Sequence, residues 1–430
     1  MGRLELPTLT GYASETYAYT SSATCPFLAL TEHSRLRAQK QYTQLMTLDF
    51  GNWARKILRR FRKMKRPYRT LVTITVSRDA ILHNLHAFQR ISPSVAVAPV
   101  LKSNAYGHGL REVGKILAGE RVPFLCVDSF FEALALRNAG VRSPILVIGY
   151  TPAENLVRNT LPDISFCVIG LSDLREASRL VRTPTKIHLE IDTGMHRHGV
   201  MPEELDDALA LVRSNPRLTL DGVYSHLADA DTPGSAHTER QISRWNAAAA
   251  KARTAFPGLR YVHCAATAGS ARLPEMAGNV MRLGIGLYGF NVSTESLDLR
   301  PALEMRTSIT SVRALAQGER VGYNATFEAS APTAIASIPA GYYEGVDRRL
   351  SNKGVVLVRG IPCPIAGRVS MNITSIDVSA VPEARVGDAA IVLSADPRAP
   401  NSVEAVAAAC GTIPYEILVH IPSHLRRSVI

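Results

Sequence analysis

Residues 95–110 read VAVAPVLKSNAYGHGL. A short run of Val and Ala ends at Val100, a lysine stands two residues later, and glycines at 107 and 109 break the chain into a loop. The run suits a β-strand buried on both faces. Lysine is an unusual residue at the end of such a run. Either the amine of Lys102 is used, as in a Schiff base with an aldehyde cofactor, or its stem snorkels toward water.

Seven runs of the same type follow, at 124–127, 144–148, 164–169, 186–191, 220–224, 261–265 and 279–283. Stretches with helical periodicity lie between them, such as 131–139 and 203–212. Strands alternating with helices at this spacing are parallel, and eight units predict a closed (β/α)8 TIM-type barrel over residues 70–302. Beyond residue 303 helical stretches become scarce. Short β-type runs at 307–312, 333–338, 354–358, 373–378 and 389–393, with one helix-like patch at 402–410, predict a mostly β C-terminal domain over 303–430. The expected fold class is therefore α/β plus β.

The chain has 430 residues, 46% hydrophobic and 20% charged, which excludes a disordered or collagen-like protein. No apolar run approaches the roughly 18–20 residues that span a bilayer. The formal charge of +12 suggests nucleic acid until it is located: residues 1–69 alone carry +9 of it. This leader contains the basic run KILRRFRKMKR at 56–66. The run fits either a membrane- or nucleic-acid-binding segment or a solvated tail, and neither kind of partner is expected for the body. The leader has no secretory apolar core. The six cysteines are widely spaced with no CxxC pair. Both features predict a cytoplasmic protein with free thiols. No metal-ligand cluster is present in the sequence pattern.

Strand ends of a barrel carry its chemistry, and they supply Lys102, Asp192 with Arg197, His226, Thr267, and Arg282 with Gly284. Five motifs lie in register along residues 70–430: VLKSNAYGHG at 100–109, LEIDTGMHRHGV at 189–200, MRLGIGLYGF at 281–290, VGYNATF at 321–327 and GRVSMNITSIDV at 367–378. In this the chain resembles the alanine racemases, pyridoxal 5'-phosphate (PLP) enzymes built from a barrel and a β domain.

The resemblance implies that Lys102 carries PLP and acts as one catalytic base. Tyr323, contributed by the partner subunit of a homodimer with shared active sites, would be the second base on the opposite face. Arg282 matches the arginine facing the pyridine nitrogen, and His226 the histidine that links it to the catalytic tyrosine. Tyr106, Thr267, Tyr415 and the backbone of Gly284 and Ile285 match phosphate contacts. The family's Ala-Asn-Ser-Ala reads AATA here, at 265–268. Arg197 and Met371 match contacts to the substrate carboxylate, and Tyr342 the inner gate of its channel. Glu190 stands where many members carry a carbamylated lysine, and Asn372 where many carry aspartate. The implied reaction is interconversion of L- and D-alanine for peptidoglycan. The rivals are a broad-specificity amino-acid racemase, a PLP-barrel decarboxylase and a non-enzymatic PLP carrier. The missing secretory leader, Arg282, and the β domain with Tyr323 argue against them in that order.

Overall fold

The computed structural model describes residues 68–292 and 297–430, so the readings of residues 1–67 lie outside the described residues. The first part contains β1 (Thr73–Val76), β2 (Ala96–Pro99), β3 (Leu125–Val127), β4 (Ile145–Val147), β5 (Ile164–Val168), β6 (Thr185–Glu190), β7 (Leu218–Tyr224), β8 (Tyr261–His263) and β9 (Val280–Leu283). Strands β3 to β8 form a parallel sheet in chain order, and β2 pairs with β9. Val100 bridges to Cys126 of β3, and the Arg282 amide in β9 donates to the Ala265 carbonyl just past β8 at 2.9 Å. These joins close β2–β9 into the expected eight-stranded barrel.

Strands β3, β4 and β5 are buried along their whole length, which is why they read as continuous apolar runs without alternation. Outer helices at Arg78–Ile91, Phe130–Asn138 and Ala236–Ala255 each begin on a serine whose side chain accepts from the third residue's amide.

The remaining strands are β10 (Leu303–Ser308), β11 (Ser311–Leu315), β12 (Arg320–Val321), β13 (Phe327–Glu328), β14 (Thr333–Ile338), β15 (Val355–Val358), β16 (Ile361–Pro364), β17 (Thr374–Asp377), β18 (Ala389–Leu393) and β19 (Arg426–Val429). They form a six-stranded sheet in the order β16-β15-β18-β10-β1-β19, a three-stranded sheet β11-β14-β17, and the ribbon β12-β13. The expected run at 307–312 is two strands. Ile309 bonds to Asp388 and Thr310 to Ser337, so the chain changes sheets between them.

Both ends of the described body enter the six-stranded sheet. β1 pairs antiparallel with β10 and parallel with β19, so Thr73–Val76 belongs by hydrogen bonding with residues 303–308 and 426–429. The helix Val403–Cys410 matches the helix-like patch, with Ser402 as its cap.

Candidate active site

The chain leaves β2 and turns at Lys102, whose half-buried side chain lines a cavity of about 700 Å³ at the C-terminal ends of the barrel strands. Ser103, Asn104, Ala105 and Tyr106 then have φ values of 56°, 56°, 53° and 49°, a left-handed turn of four non-glycine residues. Each costs roughly 1–2 kcal/mol, least for Asn, so the surroundings must hold the turn in place. It returns the Tyr106 side chain to the cavity, with its ring 6.0 Å from that of Tyr415. Burial pushes the Tyr106 hydroxyl well up and that of Tyr415 up to about 12, so both are neutral hydrogen-bond donors.

Thr267 stands between these groups and the end of β9. Its Oγ1 accepts from the amides of Gly284 (3.2 Å) and Gly286 (3.3 Å), which leaves its own hydrogen to donate. A Cβ on Gly284 would lie 3.0 Å from the Tyr106 hydroxyl, so a side chain there would press on this cradle.

Arg282 lies inside β9 rather than after it and is only 5% exposed. Its guanidinium donates to neutral acceptors: His263 Nδ1 (2.6 Å), the carbonyls of Ser225 (2.7 Å), His263 (3.0 Å) and Cys264 (3.0 Å), and His226 Nδ1 (3.2 Å). These bonds fix tautomers. His263 Nδ1 accepts, so its proton is on Nε2 and is donated to His188 Nδ1 at 2.8 Å. Burial first, and the Arg282 charge second, hold His188 and His226 down at about 3 and His263 well below the usual range. All three are neutral at physiological pH.

His188 and His263 are the groups that sequence reasoning missed. A lone histidine inside an apolar strand carries no signal. The only trace was Gly222 in β7, where a Cβ would meet the His188 ring at 2.5 Å.

Glu190 closes β6 and is buried against the cavity, where its Oε2 accepts the Tyr224 hydroxyl at 2.8 Å. Burial raises its pKa, opposed by that hydrogen bond and by the charges of Arg282, His198 and Arg197. Arg197 is exposed and lines the same cavity. Asp192 serves the loop instead, its Oδ1 accepting the amides of Gly194 (2.8 Å) and His196 (3.1 Å). The cavity thus brings together Lys102, Tyr106, Glu190, Arg197, His226, Thr267, Arg282, Gly284, Ile285 and Tyr415 from one chain.

Four expected residues are not among its lining. Tyr323 is 70% exposed, Met371 56% and Tyr342 43%, and Asn372 is exposed beside them. They share one face of the β domain: the Tyr342 amide bonds to the Ser370 carbonyl at 3.0 Å, and a Cβ on Gly322 would lie 3.6 Å from the Arg368 amide. Asn372 Nδ2 donates to Glu344 Oε1 at 2.8 Å, so a carboxylate remains at that point despite the asparagine.

Residues 76–292 match the alanine racemase N-terminal domain and residues 302–429 the C-terminal domain. The chain belongs to the alanine racemase family. Alanine racemases of Syntrophobacter fumaroxidans and Sorangium cellulosum are each 36% identical, over 81% and 80% of this chain and 94% and 95% of their own. Among solved structures, alanine racemase of Bacillus anthracis with bound L-Ala-P aligns at TM-score 0.78 and 31% identity, covering 85% of this chain and 96% of that one. The enzyme from the D-cycloserine producer Streptomyces lavendulae aligns at 0.77 and 30%, covering 85% and 98%. The cofactor of alanine racemases is PLP. The residues present here fit it: a cavity amine, a glycine cradle flanked by hydroxyls, and a buried guanidinium whose partners are all neutral.

Proposed function

We infer that this chain is a PLP-dependent isomerase that interconverts L- and D-alanine. PLP, when bound, draws electron density from the Cα of the amino acid it holds, which makes the α-proton removable. Lys102 would hold the cofactor through its amine and, once freed by substrate, take or return the α-proton on one face. The hydroxyls of Tyr106, Thr267 and Tyr415 and the amide of Ile285 would hold the phosphate; the Gly284 amide, which donates to Thr267 Oγ1, would keep that hydroxyl in place. Arg282 would face the ring nitrogen as a permanent cation, keeping that atom unprotonated and moderating the cofactor toward racemisation. Its neutral acceptors support this, because none of them takes its charge away. Arg197 would orient the substrate carboxylate, braced by the charge of Glu190, and Met371 and Tyr342 would complete the substrate channel.

The second base is the partner subunit's Tyr323. The observation behind this reading is the separation already described: a cavity that none of Tyr323, Tyr342 and Met371 lines, and a face of the same chain on which these three residues are exposed. A homodimer that exchanges these faces completes both sites. Mixing Lys102→Ala chains with Tyr323→Phe chains tests it. Half of the dimers are then mixed and hold one intact site each, so about a quarter of wild-type activity should return. No recovery after verified subunit exchange would sink the shared-site reading.

The product D-alanine would supply peptidoglycan. A reducing cytoplasmic setting accords with the cysteines among the described residues, at 126, 167, 264, 363 and 410, which are all buried and unpaired.

A further inference from the structure

The left-handed turn at Ser103–Tyr106 places both the amine of Lys102 and the hydroxyl of Tyr106, yet its conformation is intrinsically unfavourable. Local bonds hold part of it. The Ala105 amide bonds to the Leu101 carbonyl (2.8 Å) and the Gly109 amide to that of Asn104 (2.9 Å), while Glu132 Oε1 accepts the Asn104 amide (3.2 Å). The far end of the turn is held by the opposite end of the chain. Arg427 in β19 donates both Nε (3.2 Å) and Nη2 (2.9 Å) to the Gly107 carbonyl. The same guanidinium binds the carbonyls of Ile421 (3.2 Å), Pro422 (2.6 Å) and Leu425 (2.6 Å).

Gly107 also rests directly on the helix Pro414–Val419: a Cβ there would lie 2.0 Å from the Leu418 carbonyl oxygen. That helix carries Tyr415 into the cavity. One arginine fork therefore joins the segment leading from Tyr106 to the segment following Tyr415. Its own backbone is fixed in the sheet by pairing of β19 with β1.

We propose that Arg427 is a positioning residue for the cofactor site: it holds the left-handed turn against the C-terminal helix so that Lys102, Tyr106 and Tyr415 converge. This rests on the reading that these three residues hold PLP. Arg427 touches none of the reacting groups, so its effect should appear in cofactor affinity and in the order of the turn.

Arg137 provides a matched control. It too is half-buried and feeds backbone carbonyls, those of Val141, Ser143, Pro162 and Asp163, but these precede β4 and β5 at the other end of the barrel. The full-length chain would be stripped of cofactor and titrated with PLP, and amide hydrogen exchange over 103–109 would be followed in the cofactor-free state. Arg427→Gln should raise the Kd for PLP about tenfold and speed exchange in the turn. Arg427→Lys, which keeps the charge but not the fork, should fall between it and wild type. Arg137→Gln should lower Tm without changing either readout. An Arg427→Gln chain with wild-type Kd and exchange overturns the proposal, as does equal weakening of PLP by Arg137→Gln at the same loss of Tm. If Arg427→Gln does not fold, the comparison is read on Arg427→Lys. A wild-type chain that takes up no PLP would instead overturn the reading of the site itself.

Discussion

The barrel mouth and the outer face of the β domain hold the same kinds of polar residue under opposite conditions. At the mouth, Arg282, His263 and His188 are buried and bonded to one another, and Glu190 is bonded to Tyr224. On the β domain, Tyr323, Tyr342 and Met371 are exposed, and Asn372 meets only Glu344. A buried polar group without a partner is expensive, so most of this network is closed within one chain; His188 Nε2, 3.9 Å from Asp221 Oδ2, is left without a hydrogen bond. Exposed groups carry no such demand and are free to meet a second chain. On the proposed reading, cofactor holding is a property of the single chain, and catalysis needs two.

The sharpest way to break this comparison is to remove one group from each region. Lys102→Ala should abolish both covalent cofactor retention and racemisation, whereas Tyr323→Phe should keep the cofactor spectrum and still lose about a thousandfold in turnover. Absorbance of the bound cofactor and D-alanine formation measure the two effects; loss of cofactor in Tyr323→Phe would contradict the division. Next in size is Arg282→Gln. Replacing the permanent cation should lower racemisation by about a hundredfold and allow pyruvate to appear as a transamination product. A slower enzyme that makes no pyruvate would mean that the guanidinium does not moderate the cofactor.

Acid should act on the buried network and hardly on the exposed face. Inside the fold, His188 and His226 sit at about 3 and His108, packed on Tyr288, at about 4. In an unfolded chain histidine titrates near about 6.5. The unfolded state therefore binds protons first as pH falls. Stability is complete above about pH 6.5 and drains toward about pH 3, by up to about 1.4 kcal/mol per pH unit for each group. Tm measured from pH 7 down to pH 4 should fall steadily, and less steeply in His108→Gln; parallel curves would show that His108 is not buried neutral. The smallest effect belongs to Glu190→Gln. Removing the charge beside the cavity should raise KM for alanine a few-fold, on the order of 0.5–1 kcal/mol of carboxylate binding, with kcat little changed. An unaltered KM would leave Glu190 as a partner of Tyr224 alone.

Much of the fold was legible because barrel strands are short, apolar and evenly spaced. All eight runs from 95–100 to 279–283 became β2–β9. Thr73–Val76 and Arg426–Val429 were not, because their partners in the sheet lie hundreds of residues away and local periodicity does not report such pairing. The motif residues of the mouth converge in one cavity as their strand-end positions led one to expect. His188 and His263 were invisible, since what distinguishes them is the bond between them and not their spacing.

Local pattern and motif, then, were enough to set the barrel, the β domain and the family, and to propose the cofactor lysine. Only the folded chain decided which tautomers surround Arg282, that four residues after Lys102 run left-handed, and that Arg427 reaches Gly107 from the far end. Strand and helix preferences are written in neighbouring residues. Hydrogen-bond partners in a buried network are chosen by closure of the whole barrel and sheet, which brings together residues that no local pattern connects.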